Sequence, residues 1–405
     1  MRLVVAVVAL LLFGATPVAA APGPADHAEW WFDSWHVQQL WSVGVRGQGI
    51  VIGEIDTGVN AELPSLAGTV LPGKDFGSAG GDGRIDRDTD PFGHGTAMAS
   101  LMVGHTGQDD ILGLAPDAKV LPVAVPITGT TDDAGGEANV YLLQAIRWAA
   151  DHGARIISMS LGAPRDPDAG ARSCPRQEQD AVDYALAKGA IVVASGGNSG
   201  GDGSPIEEPS VCLGVVSVGA VNADGQVPAW SSRHPYLTVT APGVDVATVG
   251  RVPGQAFYGD GTSQAAAITA GGLALIWSKF PRLTGNQVVA RLLATLDGRR
   301  STRNAAAGYG SVNIESAVRA DVPLTAPNPV AAAVAPFLAR DKETAPLPKQ
   351  PARHRPPLPT GLAITPPPAP LAAGAGLAGV VVAALGCVAV LLLITAAIRR
   401  RRLTG

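Results

Sequence analysis

Three side chains capable of acyl-transfer chemistry are set apart by their small-residue surroundings. Ser263 lies in Gly259 to Gly272, reading G-D-G-T-S-Q-A-A-A-I-T-A-G-G, where a turn precedes an alanine-rich run that can enter a helix. At a helix start its Oγ is exposed, and backbone N–H groups point at any negative charge formed beside it. A hydroxyl near its free pKa is a weak nucleophile and needs a base that is itself oriented by a third group. His94 in G-H-G-T (93–96) and Asp56 in I-D-T-G (55–58) are candidates for those two parts. Alone, each has an ordinary reading: an aspartate ends a strand, a histidine starts a helix, a serine sits in a turn. Together they are a nucleophile, a general base and an orienting carboxylate, the set that attacks a carbonyl.

The elements that would carry them are legible as alternating strands and helices. Gly49 to Ile55 reads as a mostly buried strand that ends in Asp56, and the small and apolar residues after His94 read as a tightly packed helix. Strands are expected at 119–125, 154–161, 190–194, 215–221 and 237–241. Helices are expected at 138–152, 178–188, 264–280, 286–295 and up to about Arg319. This alternation predicts an α/β fold with a mainly parallel sheet covered by helices on both faces. The acidic run Asp82, Asp86, Asp88, Asp90 lacks the turn glycine and distal glutamate of an EF-hand and is expected to form a solvated surface loop.

The 405 residues, with 50 Gly, 33 Pro and 16% charged residues, describe a loop-rich domain with non-structural segments attached. A net charge of −4 gives no sign of nucleic-acid binding. Residues 1–20 have the pattern of a cleaved secretory signal. Residues 21–44, with Trp30, Trp31, Phe32 and Trp35, are expected to pack as an extension on the domain at 45–319. The proline- and alanine-rich stretch 320–370 reads as an extended linker. Residues 371–398 carry no charge and are long enough, at about 1.5 Å per residue, to cross a hydrocarbon core of about 30 Å. Four arginines, 399–402, open the tail 399–405 and place it on the cytoplasmic side, with everything before the span outside. Cys174 and Cys212 both fall on that oxidising side and are expected to pair; two buried free thiols are the alternative. Cys387 falls in the span. No zinc signature, other metal site or cofactor is expected, and a structural calcium is left open.

The order Asp56, His94, Ser263, with I-D-T-G, G-H-G-T and G-T-S-Q-A-A-A at 261–267, resembles the subtilisin-like serine peptidases over roughly residues 45–318. The resemblance implies their three-layer fold and a serine endopeptidase working through an acyl-enzyme. It implies Asn198, in A-S-G-G-N, as the oxyanion donor beside the backbone N–H of Ser263. It also implies Ser160, Leu161 and Gly162 as a strand edge that pairs with extended polypeptide substrates. Ala97, Gln264 and Ala267 depart from the common family pattern, so altered packing or pocket shape is expected there. Signal, aromatic extension, peptidase domain, linker, single span and basic tail together resemble the mycosins, membrane-anchored proteases of type VII secretion. That resemblance implies a cell-membrane protein with its catalytic domain outside and secretion-complex components as partners. A general cell-surface subtilase, or a mainly structural subunit of a membrane assembly, are the other readings of the same residues.

Overall fold

In the computed structural model, residues 29–77, 79–105, 111–126, 137–165 and 174–338 are described. The chain opens with two short helices, α1 (Trp30–Ser34) and α2 (Val37–Ser42), and then enters β1 (Val51–Asp56). After β2 (Lys74–Asp75) come α3 (His94–Val103), β3 (Lys119–Ala124), α4 (Glu137–Asp151) and β4 (Ile156–Met159). A short β5 (Ala163–Arg165) precedes α5 (Arg176–Ala187), β6 (Ile191–Ser195), β7 (Ile206–Glu208), β8 (Val215–Val221) and β9 (Val239–Pro242). The remainder is β10 (Val246–Val249), β11 (Ala256–Gly259), α6 (Thr262–Lys279), α7 (Gly285–Ala294), α8 (Ile314–Arg319) and α9 (Pro329–Leu338).

Seven strands form one sheet in the order β2-β3-β1-β4-β6-β8-β9, with every pairing parallel. β4, β6 and β8 are buried at every residue, as β-branched runs are when both faces of a sheet are covered. Successive side chains divide between those faces. Ile156 and Val193 join a core shared with α3, α6, α7 and α8, whereas Ile157 and Val192 join the core beneath α4 and α5. From β1 the chain first builds outward through β2 and β3, then returns to lay β4 on the other side of β1. The carboxyl end of β1 is therefore a switch point, where an open α/β sheet leaves a crevice. Two antiparallel pairs, β5 with β7 and β10 with β11, lie outside the main sheet.

The aromatic extension is part of the core: Trp31, Phe32 and Trp35 are buried, and the Trp41 indole donates to the Leu114 carbonyl at 2.9 Å. Composition assigned 320–370 to a linker, and α9 corrects that assignment at its start. Asn328 caps the helix by accepting from the Val330 and Ala331 N–H groups, both at 3.1 Å, and Val330 and Val334, one turn apart, are buried. Averaging over prolines hid the Asn-Pro start and this i, i+4 apolar pair. Among the described residues no helix is long and apolar enough to cross a membrane. Residues 1–20, 371–398 and 399–405 lie outside the described residues.

A disulfide joins Cys174, just before α5, to Cys212, between β7 and β8, across a sequence separation of 38. Closing a loop of that size restricts the unfolded chain by about 3 to 4 kcal/mol. Reduction, or Cys212→Ser, is expected to lower unfolding stability by that order in urea titration, with a steeper slope because the unlinked unfolded chain exposes more surface.

Candidate active site

Asp56 ends β1 and is 1% exposed, so its carboxylate is taken out of water at the switch point. Its Oδ1 accepts from the Thr57 N–H and from His94 Nδ1–H, each at 2.8 Å. His94 is the first residue of α3, and its side chain is 28% exposed on the cleft side. Burial pulls the imidazole pKa down. The Asp56 charge, its hydrogen bond and the charges of Asp88 and Asp86 outweigh that pull and leave the pKa raised above 6.5.

The two motifs are tied by a residue that the sequence placed in a solvated loop. Asp86 is 5% exposed, and its Oδ1 accepts from Thr57 Oγ1 at 2.8 Å and from the Asp88 N–H at 2.9 Å. Its Oδ2 accepts from the Thr96 N–H at 2.9 Å and from Thr96 Oγ1 at 2.5 Å. Thr57 Oγ1 in turn accepts from the Gly95 N–H, and Asp88 Oδ2 from the His94 N–H, both at 2.9 Å. The period-two acidic spacing has a local cause. Asp82, Asp86, Asp88 and Asp90 each accept a backbone N–H two residues on, from Arg84, Asp88, Asp90 and Phe92. These are consecutive Asx turns, a structure that aspartate favours.

Ser263 is the second residue of α6, a helix otherwise buried from Thr262 to Trp277. The helix start leaves unpaired N–H donors around it. Its Oγ donates to the Ser160 carbonyl at 2.8 Å, and Ser160 Oγ donates back to the Ser263 carbonyl at 2.9 Å. Asn198 follows β6. Its Oδ1 accepts from both the N–H and Oγ1 of Thr262, each at 2.9 Å, which fixes the amide beside the start of α6. One cleft of about 610 Å³ is lined by His94, Ser160, Leu161, Gly162, Asn198 and Ser263, with Asp56 behind His94. Cys174 and Cys212 are not in the cleft lining. Gln264 is not there either: it is 5% exposed and folds back over the turn, where a Cβ on Gly259 would lie 2.6 Å from its Nε2. The departure from the family pattern is absorbed by two glycines, 259 and 261, and leaves the cleft lining alone.

This fold and this cleft are those of a serine peptidase, and the Subtilase family model matches residues 47–310; the chain belongs to that family and is a subtilisin-like serine endopeptidase. Subtilisin DY of Bacillus licheniformis is 33% identical over 279 residues, spanning 68% of this chain and 93% of its own. Among solved structures, the MycP3 protease from the type VII (ESX-3) secretion system superposes with a TM-score of 0.63 at 30% identity, covering 74% of this chain and 90% of that one. MycP1 from Mycobacterium smegmatis gives 0.61 at 26% identity, covering 73% and 85%. The chain is thus structurally similar to mycosins.

Sequence reasoning also passed over Glu54, two residues before Asp56 on the same face of β1 and 2% exposed. Among the described residues neither of its oxygens has a hydrogen-bond partner, and the hydroxyl of Ser158, opposite it in register on β4, has none either. Burial first, then the neighbouring Asp56 and Asp86 charges, push Glu54 well above the usual carboxylate range. An unfolded chain ionises it above about pH 4.3, whereas the native one keeps it protonated to higher pH, so its contribution to stability falls as pH rises. Glu54→Gln is expected to raise the Tm more at about pH 8 than at about pH 4, measured by thermal unfolding across that range.

Proposed function

We propose that Ser263, His94 and Asp56 form the catalytic triad of this endopeptidase. Ser263 Oγ attacks the substrate carbonyl while His94 Nε2 takes its proton and later delivers it to the leaving amine. Asp56 holds the Nδ1–H tautomer and stabilises the imidazolium. The Asn198 amide and the Ser263 N–H hold the oxyanion, and Ser160 to Gly162 pair with an extended polypeptide. The observation that carries this reading is the 2.8 Å Asp56–His94 bond, which leaves Nε2 as the free ring nitrogen in the cleft that Ser263 also lines. With the Ser160 carbonyl accepting the Ser263 hydroxyl, attack begins with rotation about the serine Cα–Cβ bond.

The domain is further proposed to be exported through the signal at 1–20 and anchored by 371–398, with the tail 399–405 in the cytoplasm and a linker running up to the span. In this reading it processes substrates of a type VII secretion system and associates with that complex. The charge-free segment followed by four arginines supports the anchor. Similarity to MycP3 and MycP1, proteases of the ESX-3 and ESX-1 type VII secretion systems, supports the setting.

A fluorophosphonate probe is expected to label the intact protein and fail to label Ser263→Ala; labelling of that variant would overturn the nucleophile. Asn198→Ala is expected to lower kcat by about 10² to 10³. Because the base works as neutral imidazole, the acid limb of kcat/KM is expected above pH 6.5 and should move down in Asp56→Asn.

A further inference from the structure

Glu207 lines the same cleft and has no part in the steps above. It lies on β7, paired in register with Pro164 of β5, two residues past Gly162, and this pairing carries it under the Ser160–Gly162 wall. The opposite wall is the turn after β6. A Cβ on Gly162 would stand 3.0 Å from Glu207 Oε2, and one on Gly197 would stand 2.5 Å from Oε1. The carboxyl is therefore wedged between the two backbone walls of the cleft, made possible by glycine on each side. Asn198, Ser263 and Glu207 line one cleft, so the gap lies open to the side chain of a residue whose carbonyl is held at Asn198 and Ser263.

Glu207 as a residue is 4% exposed, and among the described residues no cation pairs with its carboxyl. Arg87, the cation in the cleft lining, is bound to Asp75 Oδ2 at 3.0 Å and to the Gly80 carbonyl. Tyr236 meets Glu207 through its backbone N–H, which donates to the phenol oxygen at 3.0 Å, and His234 stacks on Tyr236 with its own pKa pushed to about 4 by burial. His94 and Asp88 are the other titratable groups on the cleft wall. A nearly buried acid with no countercharge among the described residues, opening onto a groove, is costly until a cation reaches it.

We propose that Glu207 selects substrates with lysine or arginine as the residue that supplies the scissile carbonyl. The selection rests on the assignment of Ser263 and Asn198 as the reacting centre. Burial pushes the Glu207 pKa up to about 7. Its charge, and with it the preference for a cation, accordingly rises with pH through that value. An arriving ammonium or guanidinium also favours the ionised form.

Peptides identical except for Arg, Lys, Gln or Leu at that residue, cut by the full-length protein at about pH 6 and about pH 8, test this. Arg and Lys peptides are expected to exceed Gln and Leu by at least about tenfold in kcat/KM at the higher pH, and by less at the lower. Glu207→Gln should abolish the cation preference and its pH dependence, and Glu207→Asp should keep part of both. Equal cleavage of all four peptides at both pH values by a wild-type protein that the fluorophosphonate labels overturns the specificity and leaves the triad standing. Failure of labelling in the wild type instead removes the reading on which the specificity rests. Because the wild-type pH series stands alone, a variant that does not fold leaves the question answerable.

Discussion

Two motifs 38 residues apart must meet within hydrogen-bond distance, and a single buried carboxylate makes the connection. Asp86 accepts four hydrogen bonds, from the end of β1, the start of α3 and its own loop. A buried polar group is tolerated when its hydrogen bonds are made, and four of them converge on this one side chain. The position of the His94 ring against Asp56 follows from the arrangement, because Thr57 and Thr96 are neighbours of the two residues that meet.

The other half of the cleft is assembled on different elements by similar means. Helix α6 is buried along almost its whole length, so its N-terminus cannot shift without disturbing the sheet beneath it. Thr262 fastens that end to Asn198, and the paired Ser160–Ser263 hydrogen bonds fasten it to the end of β4. The imidazole side hangs from β1 and the hydroxyl side from β4 and β6. Direct pairing of β1 with β4 makes one rigid seam of the two.

Most of this was legible because strands buried on both faces and helices with small packed faces leave strong periodic marks. Expected and observed elements agree to within a few residues, and β8 coincides with its expected bounds. What escaped depended on contacts distant in sequence or on very short pairings. The two-residue β2 and the β5–β7 pair are too brief to show a period. Asp86 and Asp90 are indistinguishable in an acidic run; the fold buries Asp86 alone of that run, because Thr57 and Thr96 converge on it. Glu207 carries no local signal, since its meaning comes from Gly162 and Gly197, which flank it only in space. Gln264 could be flagged from sequence as unusual, but its direction, back over Gly259 and Gly261, required coordinates.

The first described helices close on α8, near the other end of the described chain. His36, in the turn between α1 and α2, bonds Glu315 of α8 at 2.8 Å across a separation of 279 residues, and Arg319 of the same helix donates to Gln39 Oε1 at 3.5 Å. A chain made N-terminus first, at roughly 5 to 20 residues per second, must hold this opening segment ready for on the order of tens of seconds before α8 exists. The core draws on residues as far apart as Trp31 and Val318, so its aromatic opening is the part most in need of protection from aggregation while the rest of the domain appears.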